Sequence, residues 1–202
     1  MTRRTIGIVD YGVGNHASVA ASLRRLGYRC KVSHEPEVLS AADLLVLPGV
    51  GAFPAAMAAL HQYGLVDWLR EHARAGRPLI GLCLGMQLFA DHSTENGETV
   101  GLGLIPGHVE ASPTMGWHIG WNSLDVAGGD PLLAPSDGEL VYFNHSYYFR
   151  APAEYSVALA RHGEPFVAAV RRGRVLGFQF HPEKSQSAGH ELLRNAVEGL
   201  CA

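Results

Sequence analysis

Cys83 lies in Gly-Leu-Cys-Leu-Gly (81–85), where an apolar run, Pro-Leu-Ile-Gly (78–81), meets a helix-like pattern, Gly-Met-Gln-Leu-Phe-Ala-Asp-His (85–92). A lone cysteine in such a stretch is more often a small buried hydrophobe than a nucleophile. Gly81 and Gly85, two positions before and after it, point the other way. A sharp strand-to-helix turn that presents a nucleophile above a sheet needs small residues at both places. Such a turn sets the thiol near a helix N-terminus, where the partial positive charge favours thiolate. It also aims the backbone N–H of Leu84 at the same point, as an oxyanion donor.

A thiolate that performs acyl transfer needs a base, and the base needs an orienting acceptor. Gly-Phe-Gln-Phe-His-Pro-Glu-Lys-Ser (177–185) ends an apolar strand with His181, Pro182 and Glu183. Residues two apart on extended backbone share a side, and Pro182 keeps His181 out of the helical region. Glu183 can then hold the imidazole in one tautomer while the other nitrogen faces Cys83. The blander alternative is a His-Pro turn followed by a solvated Glu-Lys pair. A third segment, Leu-Pro-Gly-Val-Gly-Ala-Phe (47–53), ends another strand. Gly49 and Gly51 permit unusual backbone angles around Val50, so an N–H there can point at a developing oxyanion. The peptide between Gly49 and Val50 tolerates either orientation and can be turned away at rest. The segment is no phosphate loop, since it lacks both the Gly-Lys-Ser ending and Gly-x-Gly-x-x-Gly spacing.

These segments need a scaffold that brings strand ends together. The first half reads as repeated strand, turn and helix, with strands at 5–11, 28–33, 43–49 and 78–83. A helical pattern carries Val19, Leu23 and Leu26 before Gly27, and two more helices follow at 54–60 and 65–75. Strands alternating with helices argue for a parallel sheet, whose ligands bind beyond the carboxyl ends of its strands. From Thr99 to Phe180 the chain turns to short strand-like runs, with Arg-Arg-Gly-Arg (171–174) as a hairpin signal. A last helix presents Leu192, Leu193, Ala196, Val197 and Leu200 on one face. The expected fold class is α/β, one domain over 1–202, with a mostly parallel central sheet flanked by helices and antiparallel strands added in the C-terminal half.

Composition bounds the function. With a formal charge of −3 and no basic stripe, nucleic acid is not an expected partner. No apolar run approaches the about 20 residues of a membrane span, and the N-terminus has no signal-peptide pattern. A cytoplasmic location with no membrane association is the expectation. Cys30, Cys83 and Cys201 form neither a disulfide framework nor a Cys-x-x-Cys metal pattern. His34, His61, His72 and His92 lack ligand spacing and read as surface residues.

Taken together, the cysteine turn, "HPEKS", "DYGVGN" and "PGVGAF" resemble class I (triad-type) glutamine amidotransferases, nearly end to end. The narrower resemblance is to the glutaminase subunits of imidazole glycerol phosphate synthases, in histidine biosynthesis. It implies Cys83 as nucleophile, His181 as base, Glu183 as its orienting partner, and Gly49–Val50–Gly51 as the oxyanion strand. It implies that Gly51, Gln87, Ser146 and Tyr147 line a glutamine site. It places Asn15, Trp121, Tyr142 and Lys184 at a face for a cyclase partner, in a heterodimer that receives the ammonia. No metal or organic cofactor is implied. Where the family has Pro-His-Met-Gly-Trp-Asn, this chain has Pro-Thr-Met-Gly-Trp-His-Ile-Gly-Trp-Asn (113–122), with two Gly-Trp pairs. The register that keeps both the His and the Asn is His118 to Asn122, and the segment is expected to face the partner. The second pair leaves room for a paralogous amidotransferase feeding another synthase, such as one aminating a sugar nucleotide. A non-catalytic subunit or a cysteine peptidase fits the intact motifs less well.

Overall fold

The computed structural model describes residues 3–202. The first half runs β1 (Thr5–Val9), α1 (His16–Arg25), β2 (Arg29–Ser33), α2 (Pro36–Ser40), β3 (Leu44–Gly49), α3 (Phe53–Gln62), α4 (Leu65–Arg74), β4 (Leu79–Cys83) and α5 (Leu84–Gln87). The second half adds β5 (His92–Ser93), β6 (Thr99–Val100), β7 (His108–Ala111), β8 (His118–Ser123), β9 (Leu140–His145), β10 (Tyr147–Arg150), β11 (Ser156–His162), β12 (Glu164–Arg172) and β13 (Val175–Phe178). A 3-10 turn at Pro182–Lys184 leads into α6 (Gln186–Leu200).

The main sheet has the order β2-β1-β3-β4-β13-β12-β11. Its first five strands are parallel, and β12 and β11 extend it antiparallel. The expected α/β architecture, parallel with antiparallel additions, is therefore present. β3, β4 and β13 lie side by side, so the segments after Gly49, Cys83 and Phe178 emerge together at one end of the sheet. Sequence neighbours alternate between two helical layers because strand side chains alternate between faces. Ile6, Ile8, Leu44, Val46, Ile80 and Leu82 pack with Leu23 of α1 and Leu192 of α6. Val9, Leu45, Leu47 and Leu79 pack with Met57 and Leu60 of α3 and Leu69 of α4. A strand buried on both faces must be apolar throughout, which is why β3 and β4 carry no charged residue. Two smaller units complete the fold: a four-stranded sheet of order β10-β7-β5-β6, and the antiparallel ribbon β8–β9.

Two local expectations are corrected, and one short helix is new. The helix after Cys83 is one turn long rather than reaching His92. The carbonyls of Leu88, Phe89 and Ala90 accept instead from the N–H groups of Leu102, Leu104 and Gly103. His72 is buried, not on the surface: Nε2 meets the carbonyl of Pro78 at 3.2 Å, and burial holds its pKa down to about 4. The short α2, which begins on Pro36, has too few residues to show a period. Among the described residues no helix is long and apolar enough to cross a membrane.

Candidate active site

Cys83 has φ 54° and ψ −111°, in the half of backbone space that side chains other than glycine rarely enter. Its glycine neighbours explain how the turn closes. A Cβ on Gly81 would meet the Phe89 ring at 2.6 Å, and one on Gly85 would overlap the carbonyl of Leu47. Gly49, paired with Cys83 across the sheet, would carry a Cβ 2.7 Å from the backbone nitrogen of Gly85. Close packing, not turn flexibility alone, demands glycine at all three. The Tyr11 hydroxyl donates to the carbonyl of Pro48 at 2.7 Å beneath this contact, and burial raises its pKa.

Beyond the end of β13, the N–H of His181 donates to the carbonyl of Tyr142 at 2.8 Å, and the Ser185 hydroxyl donates to the carbonyl of His181 at 2.7 Å. These bonds hold the turn. His181 Nδ1 lies 2.8 Å from Glu183 Oε1, with 6% and 2% of the two side chains exposed. The two residues meet as the spacing suggests but by another route, because residues 182–184 form a 3-10 turn and not extended chain. Burial alone would lower the His181 pKa. The neighbouring Cys83 and Glu183 outweigh it and push it up to about 9.

Cys83, Leu84 and His181 open onto a cavity of about 250 Å³. Val50, Gly51, Gln87, Ser146 and Tyr147 line it as well. Gly51 has φ +86°, a backbone angle that glycine permits. Gln87 Nε2 donates to the Tyr147 carbonyl at 2.9 Å and to Gln179 Oε1 at 3.0 Å. Two residues at the site, one behind the cavity wall and one at its mouth, escaped sequence reasoning. Gln179 is fully buried in an apolar run and sets its Nε2 3.8 Å from Cys83 Sγ. A solitary amide among Phe178 and Phe180 was the available signal, since a buried polar side chain needs a partner. Trp117 belongs to the first of the two Gly-Trp pairs. It is 68% exposed, yet it lines the cavity mouth and donates from Nε1 to Asn144 Oδ1 at 3.1 Å.

Of the residues expected at a partner face, Trp121 and Tyr142 are opposite each other in the β8–β9 ribbon, with rings 5.8 Å apart. Lys184 Nζ is 5.9 Å from the Tyr142 ring centre. Asn15 caps α1 through Ser18 N and borders a small void that also touches His181 and Glu183. The segment 113–122 does not lie wholly on that outer surface: Trp117 borders the cavity, and His118 points into the core.

The model of the family "Glutamine amidotransferase class-I" matches residues 7–200. The chain is 46% identical over 197 residues to imidazole glycerol phosphate synthase subunit HisH of Carboxydothermus hydrogenoformans, covering 96% of this chain and 98% of that one. It is 44% identical over 195 residues to the protein of the same name from Streptococcus gordonii, covering 95% and 94%. A crystal structure of a glutamine amidotransferase superposes with a TM-score of 0.75 at 25% identity, covering 97% of this chain and 98% of that one. PurLQS from Thermotoga maritima matches with a TM-score of 0.77 over 98% of this chain and 100% of that one, at 16% identity, a likeness of fold alone.

Proposed function

The chain belongs to the class-I glutamine amidotransferase family, and we propose that it is the glutaminase subunit of an imidazole glycerol phosphate synthase of histidine biosynthesis, with Cys83, His181 and Glu183 as its catalytic triad. The observation that carries the chemistry is the cysteine held at φ 54° on a cavity that also contains an imidazole already paired with a carboxylate. Full-length relatives of that name carry the pathway.

Cys83 Sγ attacks the side-chain amide carbon of glutamine. The negative charge that develops on the amide oxygen is held by the N–H of Leu84 and by one from Gly49–Val50–Gly51. His181, protonated through its pairing with Cys83 and Glu183, gives its proton to the departing nitrogen. Ammonia leaves, and a γ-glutamyl thioester remains. The now neutral His181 takes a proton from water, which attacks the thioester and releases glutamate and the thiolate. Glu183 keeps Nδ1 protonated, so that Nε2 serves as the working nitrogen in both halves.

Ammonia set free in neutral water is mostly ammonium, a poor nucleophile. A subunit of this kind therefore works with a partner subunit that consumes the ammonia. In the heterodimer proposed here, a cyclase partner docks on the face of Asn15, Trp121, Tyr142 and Lys184. It uses the ammonia to close the imidazole ring of imidazole glycerol phosphate, releasing an aminoimidazole carboxamide ribotide. An electrophilic glutamine analogue tests the assignment. Burial raises the pKa of the Cys30 and Cys201 thiols, which leaves them poor nucleophiles. Peptide mass spectrometry should find the adduct on Cys83 alone, and an adduct mainly on Cys30 or Cys201 would reject the triad.

A further inference from the structure

From the cavity wall at His145 a chain of side chains that the proposed triad does not use runs into the core. Asn122 Nδ2 is 2.7 Å from His118 Nε2, His118 Nδ1 is 3.2 Å from His145 Nε2, and His145 Nδ1 is 3.0 Å from the carbonyl oxygen of Tyr147. His118 and His145 are both buried. The direction of every bond follows from the last acceptor. A carbonyl can only accept, so His145 carries its proton on Nδ1. A neutral His145 then accepts at Nε2, which requires a proton on His118 Nδ1. His118 in turn accepts at Nε2, which requires the amide group of Asn122 to face it.

Both imidazoles must be neutral for this order to hold. Burial and the nearby His162 hold His118 at about 4; at His145 burial, with His118, His162 and His181 close by, outweighs the bond to the Tyr147 carbonyl and holds it at about 3. The Tyr147 carbonyl also accepts from Gln87, so its two lone pairs are both occupied. Gln87 reaches Gln179, and Gln179 reaches Cys83 Sγ. The line thus begins beside Trp121 on the β8–β9 ribbon and ends at the sulfur.

We propose that His118 and His145 are positioning residues: a pair of neutral imidazoles, each protonated on Nδ1, that fixes the Tyr147 carbonyl and through it Gln87 on the wall of the substrate cavity. Their effect on glutamine rests on the glutaminase reading, whereas the tautomers do not.

Two measurements separate these claims. Long-range proton–nitrogen NMR of the full chain labelled in its histidines should show both imidazoles neutral with the proton on Nδ1 at pH 7. A proton on Nε2, or on both nitrogens, in either residue overturns the assignment. The second compares His145→Asn with His145→Gln in complex with the partner. An asparagine amide can occupy the place of Nδ1 and keep the donor to Tyr147, while a glutamine amide occupies the place of Nε2 and loses it. The KM for glutamine should be roughly tenfold higher in the Gln variant than in the Asn variant, as expected for one hydrogen bond to a binding wall, with a smaller difference in kcat. If the imidazoles only fill space, the larger Gln is the better substitute, and equal or reversed KM values overturn the positioning role. A parent chain that shows the expected tautomers but hydrolyses no glutamine even in complex with the ligand-bound partner rejects the glutaminase reading and leaves the tautomer assignment standing.

Discussion

Cys83 adopts a backbone conformation that costs a non-glycine residue on the order of 1–3 kcal/mol. The chemistry proposed for it rests on His181, and the two substitutions that test this differ in kind. His181→Asn removes proton transfer and should lower glutamine turnover by about 10²- to 10⁴-fold. Glu183→Gln removes only the orienting charge and should retain part of the activity; equal rates for His181→Asn and the parent would contradict the triad. The raised pKa of His181 has a stability consequence with a definite sign. A histidine held at about 9 in the folded chain, against an ordinary 6.5, stabilises the fold fully below pH 6.5. That contribution is lost as the pH rises through 9, at no more than about 1.4 kcal/mol per pH unit. Urea denaturation should show the decline in the parent and its absence in His181→Asn. The grouping of Cys83, His181 and Glu183 was legible in the sequence because each sits in a short motif whose spacing states its geometry. His118 and His145 were not, because 27 residues separate them and only the β8–β9 pairing brings them together.

The elements account for how the loops are held, and for the misreading of α5. Its sequence continues apolar and helical in period past Gln87, but Gly101 to Ile105 take the carbonyls a longer helix would need. Such competition between distant segments leaves no trace in a local period. Other elements were plain to read: β3 and β4 are uniformly apolar runs closed by Pro-Gly or by the cysteine turn. The 3-10 turn at Pro182–Lys184 joins His181 and Glu183 to the β9 strand, since the N–H of His181 bonds to Tyr142 and Lys184 approaches the Tyr142 ring. If the Gly49–Val50 peptide rests with its N–H turned from substrate, one oxyanion donor is missing, a loss of roughly 10²- to 10³-fold in rate. The isolated chain should then hydrolyse glutamine slowly and be activated by the partner with a ligand in its own site. Lys184→Ala should weaken activation or assembly more than it raises the KM for glutamine. Full activity of the chain alone would reject the resting-peptide account.

As a whole the molecule is a doubly covered, mostly parallel sheet whose β3, β4 and β13 ends bring Val50 and Gly51, Cys83 and His181 to one cavity. This arrangement follows from topology: Gly49 and Phe178 are 129 residues apart in sequence, yet their strands are neighbours because only β4 lies between them. The sequence showed the alternation of strands and helices, while the strand order came only with the structure. The central claim is that this chain makes ammonia and a separate subunit uses it. The most direct test is formation of imidazole glycerol phosphate by the partner complex carrying Cys83→Ala, measured with glutamine and, separately, with an ammonium salt. The account predicts no product from glutamine and product at the parent rate from ammonium, because the thiolate is needed only to release nitrogen. Product formed from glutamine by the Cys83→Ala complex would contradict it.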